Sequence, residues 1–347
     1  MRYLVTGHTG FKGTWLTMML AQQGHSVSGI ALDPEVESLF NSTRATEFLD
    51  HDFRIDIREK ERLVAAVAAC NPEIIIHLAA QPLVRESYRD PRKTIETNVI
   101  GTLNVLEAAQ ACSSIRAQLI ITTDKVYRNI NQIKGYKEYD ALGGDDLYSA
   151  SKAMADILTH SWITSFGGPP TATARAGNVI GGGDFSHERL IPDVIQACKG
   201  NHSPELRYPN AVRPWQHVLD CLSGYQKLIH HLLSVDAAQS NQGEWNFGPG
   251  KSSFVTVGEV TQRIMSLWGT SHTWTQISTN GFHEAGLLTL DPSKARGQLN
   301  WQDSLNLEQT ISWTVDWYKK VHEGMDSRIV TLEQISLFKD DYHRADN

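Results

Sequence analysis

The chain has 347 residues, 41% hydrophobic and 20% charged, a globular composition with enough length for a large core and a second lobe. Its net charge of −7 is spread over both signs, so no basic face argues for nucleic acid. Four cysteines lie far apart without a CxxC pair, and no HExxH or close histidine cluster appears; reduced thiols are expected, with neither a disulfide frame nor a metal site.

The opening "MRYLVTG" runs into a strand at 3–5 with no basic leader or long apolar stretch, so a cytoplasmic protein that does not cross a membrane is expected. Next, "VTGHTGFKG" places Gly7, Gly10 and Gly13 between that strand and a helix from Phe11 that stops at Gly24. Glycines there let the backbone turn tightly, approach a pyrophosphate and pack the helix on the sheet, while the helix start offers free N–H groups. Asp33 follows twenty residues past Gly13, after the strand "SVSGIAL", where a carboxylate can accept from an adenosine ribose. Its charge would repel a 2′-phosphate, and with no compensating arginine expected nearby this favours NAD over NADP. Asp56 in "FRIDI" follows a third short strand and is within reach of the adenine.

The strand "EIIIHLAA" comes next, then the helical spacing Ile95, Val99, Leu103, Leu106 over 94–112. The strand "AQLIITTD" ends on Thr123, Asp124 and Lys125, and strand ends are where ligands collect in open α/β sheets. A helix is predicted over roughly 147–166, with Tyr148 and Lys152 four apart on one face. A free tyrosine titrates near pKa ~10 and is a poor base at neutral pH. A lysine ammonium and an oxidised nicotinamide both favour the phenolate. Another strand is predicted through "TATARAGNVIG".

Beyond about residue 177 glycine and proline become frequent. A capping box "TVGE" at 256–259 precedes one helix, and the last clear helix covers 306–322. The alternation of strand and helix means a Rossmann-like, doubly wound parallel sheet with a smaller C-terminal lobe and a ligand cleft between them. The expected division is a nucleotide-binding domain at 1–176, completed by parts of 212–246 and 305–325. The second lobe would comprise 177–211 and 247–304.

The motifs in this order resemble the extended short-chain dehydrogenase/reductase family that acts on nucleotide sugars. "GHTGFKG", "TTDKVY", "GNVIGGGDF", "RPWQHV", "WNFGP" and "HEA" are similar to its CDP-specific 4,6-dehydratase branch, from Gly7 to about Trp317. The resemblance implies a lyase that takes CDP-D-glucose through internal NAD-mediated oxidation, loss of water and reduction, for deoxysugar and lipopolysaccharide precursors. It implies cofactor contacts at Gly7, Thr9, Gly10, Phe11, Lys12, Gly13, Asp33, Asp56, Ile57, Leu78, Ala79, Ala80 and Asn98, together with Tyr148 and Lys152.

It implies substrate contacts at Asn178, Arg207, Arg213, Asn246, His283 and Glu284, and catalysis by Thr123, Asp124, Lys125, Tyr148 and Lys152. Most 4,6-dehydratases read Asp-Glu where this chain reads Asp124-Lys125. Tyr148 would deprotonate the 4-hydroxyl, Lys125 would be the base at carbon 5, and Asp124 the acid at the carbon-6 hydroxyl. Burial beside the nicotinamide is expected to bring Lys125 into a useful range. A 4-epimerase, a dehydratase acting on a dTDP, UDP or GDP sugar, and a non-catalytic NAD-binding protein are the alternatives. A homodimer or homotetramer paired through helices 94–112 and 147–166 is also implied.

Overall fold

The computed structural model describes residues 1–132, 134–234, 243–278 and 287–345, with backbone alone over 340–345. Six strands alternate with helices through the first half. They are β1 (Arg2–Thr6), β2 (Ser26–Ala31), β3 (His51–Arg54), β4 (Ile74–His77), β5 (Ala117–Ile121) and β6 (Thr171–Ala176). A further strand, Gly243–Phe247, adds to β6 from the second half. All pairings are parallel, in the order Gly243–Phe247, β6, β5, β4, β1, β2, β3. The strand order reverses at β1 and β4, the switch point where such sheets bind ligands.

Alternation along β1 shows why the strands are apolar throughout. Tyr3 and Val5 point into one core with Ile74, Ile76, Leu119 and Ile121, while Leu4 points into another with Ile30 and Ile75. The helix Phe11–Gln22 is more enclosed than a one-faced helix: every residue from Gly13 to Leu20 is buried. The helix Leu147–Phe166 starts at an Asp146 cap, whose carboxylate accepts from Ser149 N at 2.9 Å. Thr256 and Glu259 form the expected capping box of the helix Val257–Trp268.

Three features differ from the sequence expectations. The segment 94–112 is a helix interrupted by a wider π turn at Glu96–Ile100, between Pro91–Ile95 and Gly101–Ala111. The strand expected through "TATARAGNVIG" is two: β6, and Asn178–Ile180, which joins Val212–His217 and Phe254–Thr256 in a separate sheet. Gly177 is the break, and a Cβ there would come within 3.2 Å of both Asp124 Oδ2 and Pro214 Cγ. Finally, a helix at Ser327–Ala345 follows Leu307–His322 and packs on it, burying Val330, Ile335 and Phe338. Their helical spacing was available in the sequence.

Candidate active site

A cleft of about 1090 Å³ opens at the carboxyl ends of the central strands, between the sheet and the second half of the chain. Gly7 sits at φ +74°, and a Cβ on it would meet Ala79 N at 2.7 Å. A Cβ on Gly13 would lie 2.2 Å from Gly7 O, so the loop packs against itself and against the "HLAA" segment with no space for side chains. Gly7, Thr9, Gly10, Phe11, Lys12 and Gly13 line the cleft, as do Asp56, Ile57, Leu78, Ala79 and Ala80. A cradle that a Cβ would fill, ending at a helix N-terminus beside an apolar bed, fits a dinucleotide. The Asp56 carboxylate would be raised by burial, but its paired contact with Arg58 (2.6 Å to Nη2) brings it below the usual range.

Asp33 stands at the rim with its side chain 87% exposed, outside the lining residues. Contrary to expectation an arginine is beside it, with Arg54 Nε 3.7 Å from Asp33 Oδ1. The register that pairs Ala31 of β2 with Arg54 of β3 brings the two together. Asn98 does not line the cleft. The π turn puts its amide under the wall instead, where Oδ1 accepts from Gln81 N at 2.8 Å and Nδ2 donates to Ser151 Oγ at 2.8 Å.

After β5 the chain makes one tight turn at Asp124–Val126, capped by Thr123. The Thr123 hydroxyl donates to Asp124 Oδ1 at 2.9 Å and accepts from Lys125 N at 3.4 Å. Asp124 is 1% exposed, and its Oδ2 has no hydrogen-bond partner among the described residues. Lys125 Nζ is 3.8 Å from Asp124 Oδ1, but its side chain is 35% exposed, so the burial expected of it is not found. Burial falls on Lys152 instead. Its Nζ donates to Ile121 O at 2.8 Å, and desolvation, with the Lys12 ammonium, lowers its pKa to about 8 against the pull of Asp156. Burial also raises the Tyr148 phenol above its ordinary value, opposed chiefly by the Lys125 ammonium and by a hydrogen bond with Thr123. Tyr148, Thr123, Lys125 and Lys152 all line the same wall.

Asn178, Arg207 and Arg213 line the cleft. Asn246 does not. It is fully buried, its Oδ1 accepts from Tyr127 OH at 2.8 Å, and its Nδ2 donates to Tyr136 O at 2.8 Å. Both polar ends are spent on protein, so Asn246 supports the site from below. His283 and Glu284 lie outside the described residues. Arg189 went unnoticed in the sequence, because no motif or spacing marks it. It pairs with Asp184 at 2.9 Å and helps lower the Tyr148 phenol. Tyr318 OH donates to Asp184 O at 2.6 Å, which anchors that loop to the helix Leu307–His322. Cys70, Cys198 and Cys221 are buried, Cys112 is half-buried, and all four thiols are free.

Comparison with known proteins places these features in a lineage. The family model described as GDP-mannose 4,6 dehydratase matches residues 4–314. A CDP-glucose 4,6-dehydratase from Salmonella typhimurium is 41% identical over 344 residues, covering 96% of this chain and 95% of the relative. A dTDP-glucose 4,6-dehydratase from Xanthomonas campestris is 28% identical, covering 91% and 92%. Among solved structures, the dTDP-glucose 4,6-dehydratase of Bacillus anthracis in complex with NAD has a TM-score of 0.80 at 23% identity, covering 93% and 98%. That likeness establishes the fold.

Proposed function

This chain belongs to the GDP-mannose 4,6 dehydratase family, and from that premise we propose that it converts CDP-D-glucose to CDP-4-dehydro-6-deoxy-D-glucose and water. It is an NAD-dependent nucleotide-sugar 4,6-dehydratase. One observation carries the assignment of roles: Tyr148, Lys152 and Lys125 line the cleft with Thr123, and Thr123 donates to the carboxylate of Asp124, which is buried outside the lining residues.

When bound, NAD supplies reversible hydride acceptance between carbon 4 and carbon 6 of the sugar. The glycine loop and the "HLAA" segment would hold it, together with Lys152. Tyr148 takes the proton of the 4-hydroxyl, and Thr123 orients that hydroxyl. A lowered lysine such as Lys152 can pass the proton onward without holding it permanently. The resulting ketone acidifies carbon 5. Elimination then needs one group holding a proton and one lacking it within reach of adjacent carbons. Asp124 and Lys125 stand 3.8 Å apart as an ion pair, with Lys125 assigned as base at carbon 5 and Asp124 as acid at the carbon-6 hydroxyl. A 4-epimerase has no use for this pair.

Arg207, Arg213 and Asn178 would hold the nucleotide diphosphate, and the second lobe (177–211 with 247–304) would frame it against the nucleotide-binding lobe. Exposed Ile100, Met154 and Ile157 lie on the two helices expected to pair subunits, which supports a homodimer or a tetramer built from it. Among the described residues no helix is long and apolar enough to cross a membrane, and a cytoplasmic enzyme is the reading that fits a nucleotide-sugar substrate. The test is incubation with CDP-, UDP-, dTDP- and GDP-glucose, followed by the alkaline absorbance of a 4-keto product. Faster turnover of another nucleotide would overturn the cytidine assignment, and no 4-keto product from any of them would overturn the dehydratase.

A further inference from the structure

Asp124 and Gly177 follow the carboxyl ends of neighbouring strands. The register of β5 on β6 sets Ile121 beside Ala174, and Asp124 and Gly177 each lie three residues further along their own segment. Gly177 lines the cleft between Ala176 and Asn178, whereas Asp124 is buried outside the lining residues. The two oxygens of Asp124 are used differently. Oδ1 accepts from the Thr123 hydroxyl at 2.9 Å and faces Lys125 Nζ at 3.8 Å. Oδ2 is buried with no hydrogen-bond partner among the described residues. Leaving a buried carboxylate oxygen unpaired is costly, and such an atom in a native fold points to a task. With Oδ1 already taking a hydrogen, Oδ2 is the oxygen left to carry a proton for delivery.

Gly177 stands against that oxygen. A Cβ on it would come 3.2 Å from both Asp124 Oδ2 and Pro214 Cγ. Its φ lies outside the left-handed region, so the backbone alone does not require glycine here. The space does. The Pro214 ring is fixed in the strand Val212–His217, paired with Phe254, so a methyl at 177 would be pressed towards the carboxylate. We propose that Gly177 is a positioning residue, which keeps open the passage by which Asp124 Oδ2 reaches the carbon-6 hydroxyl of the substrate; this rests on the dehydratase reading. The terminal torsion of an aspartate is soft, and a small rotation brings Oδ2 towards the cleft. The place a Cβ would fill is the room for that rotation. In the step itself the proton passes from Oδ2 to the hydroxyl oxygen, and the bond from carbon 6 to that oxygen breaks with its electron pair leaving on water. The electrons of the carbon 5–hydrogen bond form the new double bond as Lys125 takes that proton. Oxidation at carbon 4 needs no proton from Asp124, so it should be indifferent to the residue at 177.

The test compares wild type, Gly177→Ala, Asp124→Asn and the double variant, each loaded with NAD⁺, on CDP-glucose and on its 6-chloro-6-deoxy analogue. Chloride leaves carbon 6 with its electron pair and needs no proton, so the analogue bypasses the acid. Gly177→Ala is expected to slow product formation from CDP-glucose about 100-fold, the scale of a general acid, while reduced nicotinamide still appears. On the chloro analogue it should stay within about threefold of wild type. Asp124→Asn should show the same pattern, and the double variant should lose no more than the larger single loss, because both changes act on one proton transfer. The ratio of rates on the two substrates cancels any loss of folded enzyme. A Gly177→Ala protein as fast as wild type on CDP-glucose would overturn the proposal. So would one slowed equally on both substrates, or losses that add in the double variant. A wild-type chain that makes no 4-keto product from either compound would overturn the dehydratase reading beneath it.

Discussion

Asp156 and Arg175 meet as a bidentate pair, Nη2 2.6 Å from Oδ1 and Nε 2.9 Å from Oδ2, with both side chains 1% exposed. Asp156 lies one helical turn beyond Lys152, and Arg175 lies on β6. Thr122 Oγ1 donates to Asp156 Oδ2 at 2.9 Å, and Arg175 Nη1 donates to Tyr127 OH at 2.7 Å. The pair therefore grips the reacting segment on both sides of Thr123, Asp124 and Lys125.

Removing one partner strands the other as a buried charge, which costs about 3–5 kcal/mol. Arg175→Met is thus expected to lower stability by that amount in urea unfolding. Asp156→Asn should do the same, and the double substitution should cost less than the two single losses added together. Additive losses would mean that the two side chains do not act as a unit.

The glycine loop and the Tyr148–Lys152 spacing were legible because each is local: a strand, a turn and a helix start in one case, one helical turn in the other. The parallel sheet was legible from its apolar strands. What stayed hidden depends on register between distant segments. Arg54 meets Asp33 only because β2 and β3 pair as they do, and Asn246 turns inward only because Tyr127 and Tyr136 come to it. The break at Gly177 follows from the close approach of Asp124 and Pro214, neither of which is near it in sequence. Lys125 was expected to be buried beside the nicotinamide. The turn at Asp124–Val126 instead directs it into the open cleft.

Asp220 gives a pH prediction. Burial raises its carboxyl to about 8, outweighing the hydrogen bonds it accepts from Ser304 N at 2.6 Å and Leu305 N at 3.3 Å. Between about pH 4 and pH 8 the folded chain holds a proton that the unfolded chain has lost, so this group's contribution to stability falls as pH rises. The slope should approach 1.4 kcal/mol per pH unit, on the order of the one-proton limit. Asp220→Asn is expected to be flatter than wild type in urea midpoint against pH from 5 to 8. Parallel curves would mean that Asp220 ionises as freely in the fold as outside it.

Arg213 lines the cleft and is buried, with Nη1 donating to Val212 O at 2.9 Å. A diphosphate contact remote from the reacting carbons stabilises ground and transition states alike. Arg213→Ala should therefore raise KM by about tenfold or more, with kcat changing less than about threefold. A large loss of kcat at unchanged KM would place Arg213 at the chemistry.

The last prediction separates the two acid–base sets. If Tyr148, Thr123 and Lys152 serve oxidation, while Asp124 and Lys125 serve the elimination that follows, each set should fail at its own step. Lys125→Met is expected to oxidise the sugar and then stall, so the near-ultraviolet absorbance of reduced nicotinamide builds up on the enzyme with little 4-keto-6-deoxy product. Tyr148→Phe should stop before that absorbance appears. The exposure of Lys125 makes the test cleaner, because replacing it creates no cavity and leaves the buried Asp124 bonded to Thr123. Isotope labelling checks the sequence of events independently. Deuterium placed on carbon 4 should reappear on carbon 6, and solvent deuterium should enter carbon 5. Near wild-type product formation by Lys125→Met would reduce the lysine to an ion-pair partner. A label that returns to carbon 4 would point to an epimerase, since only elimination opens carbon 6 to the returning hydride.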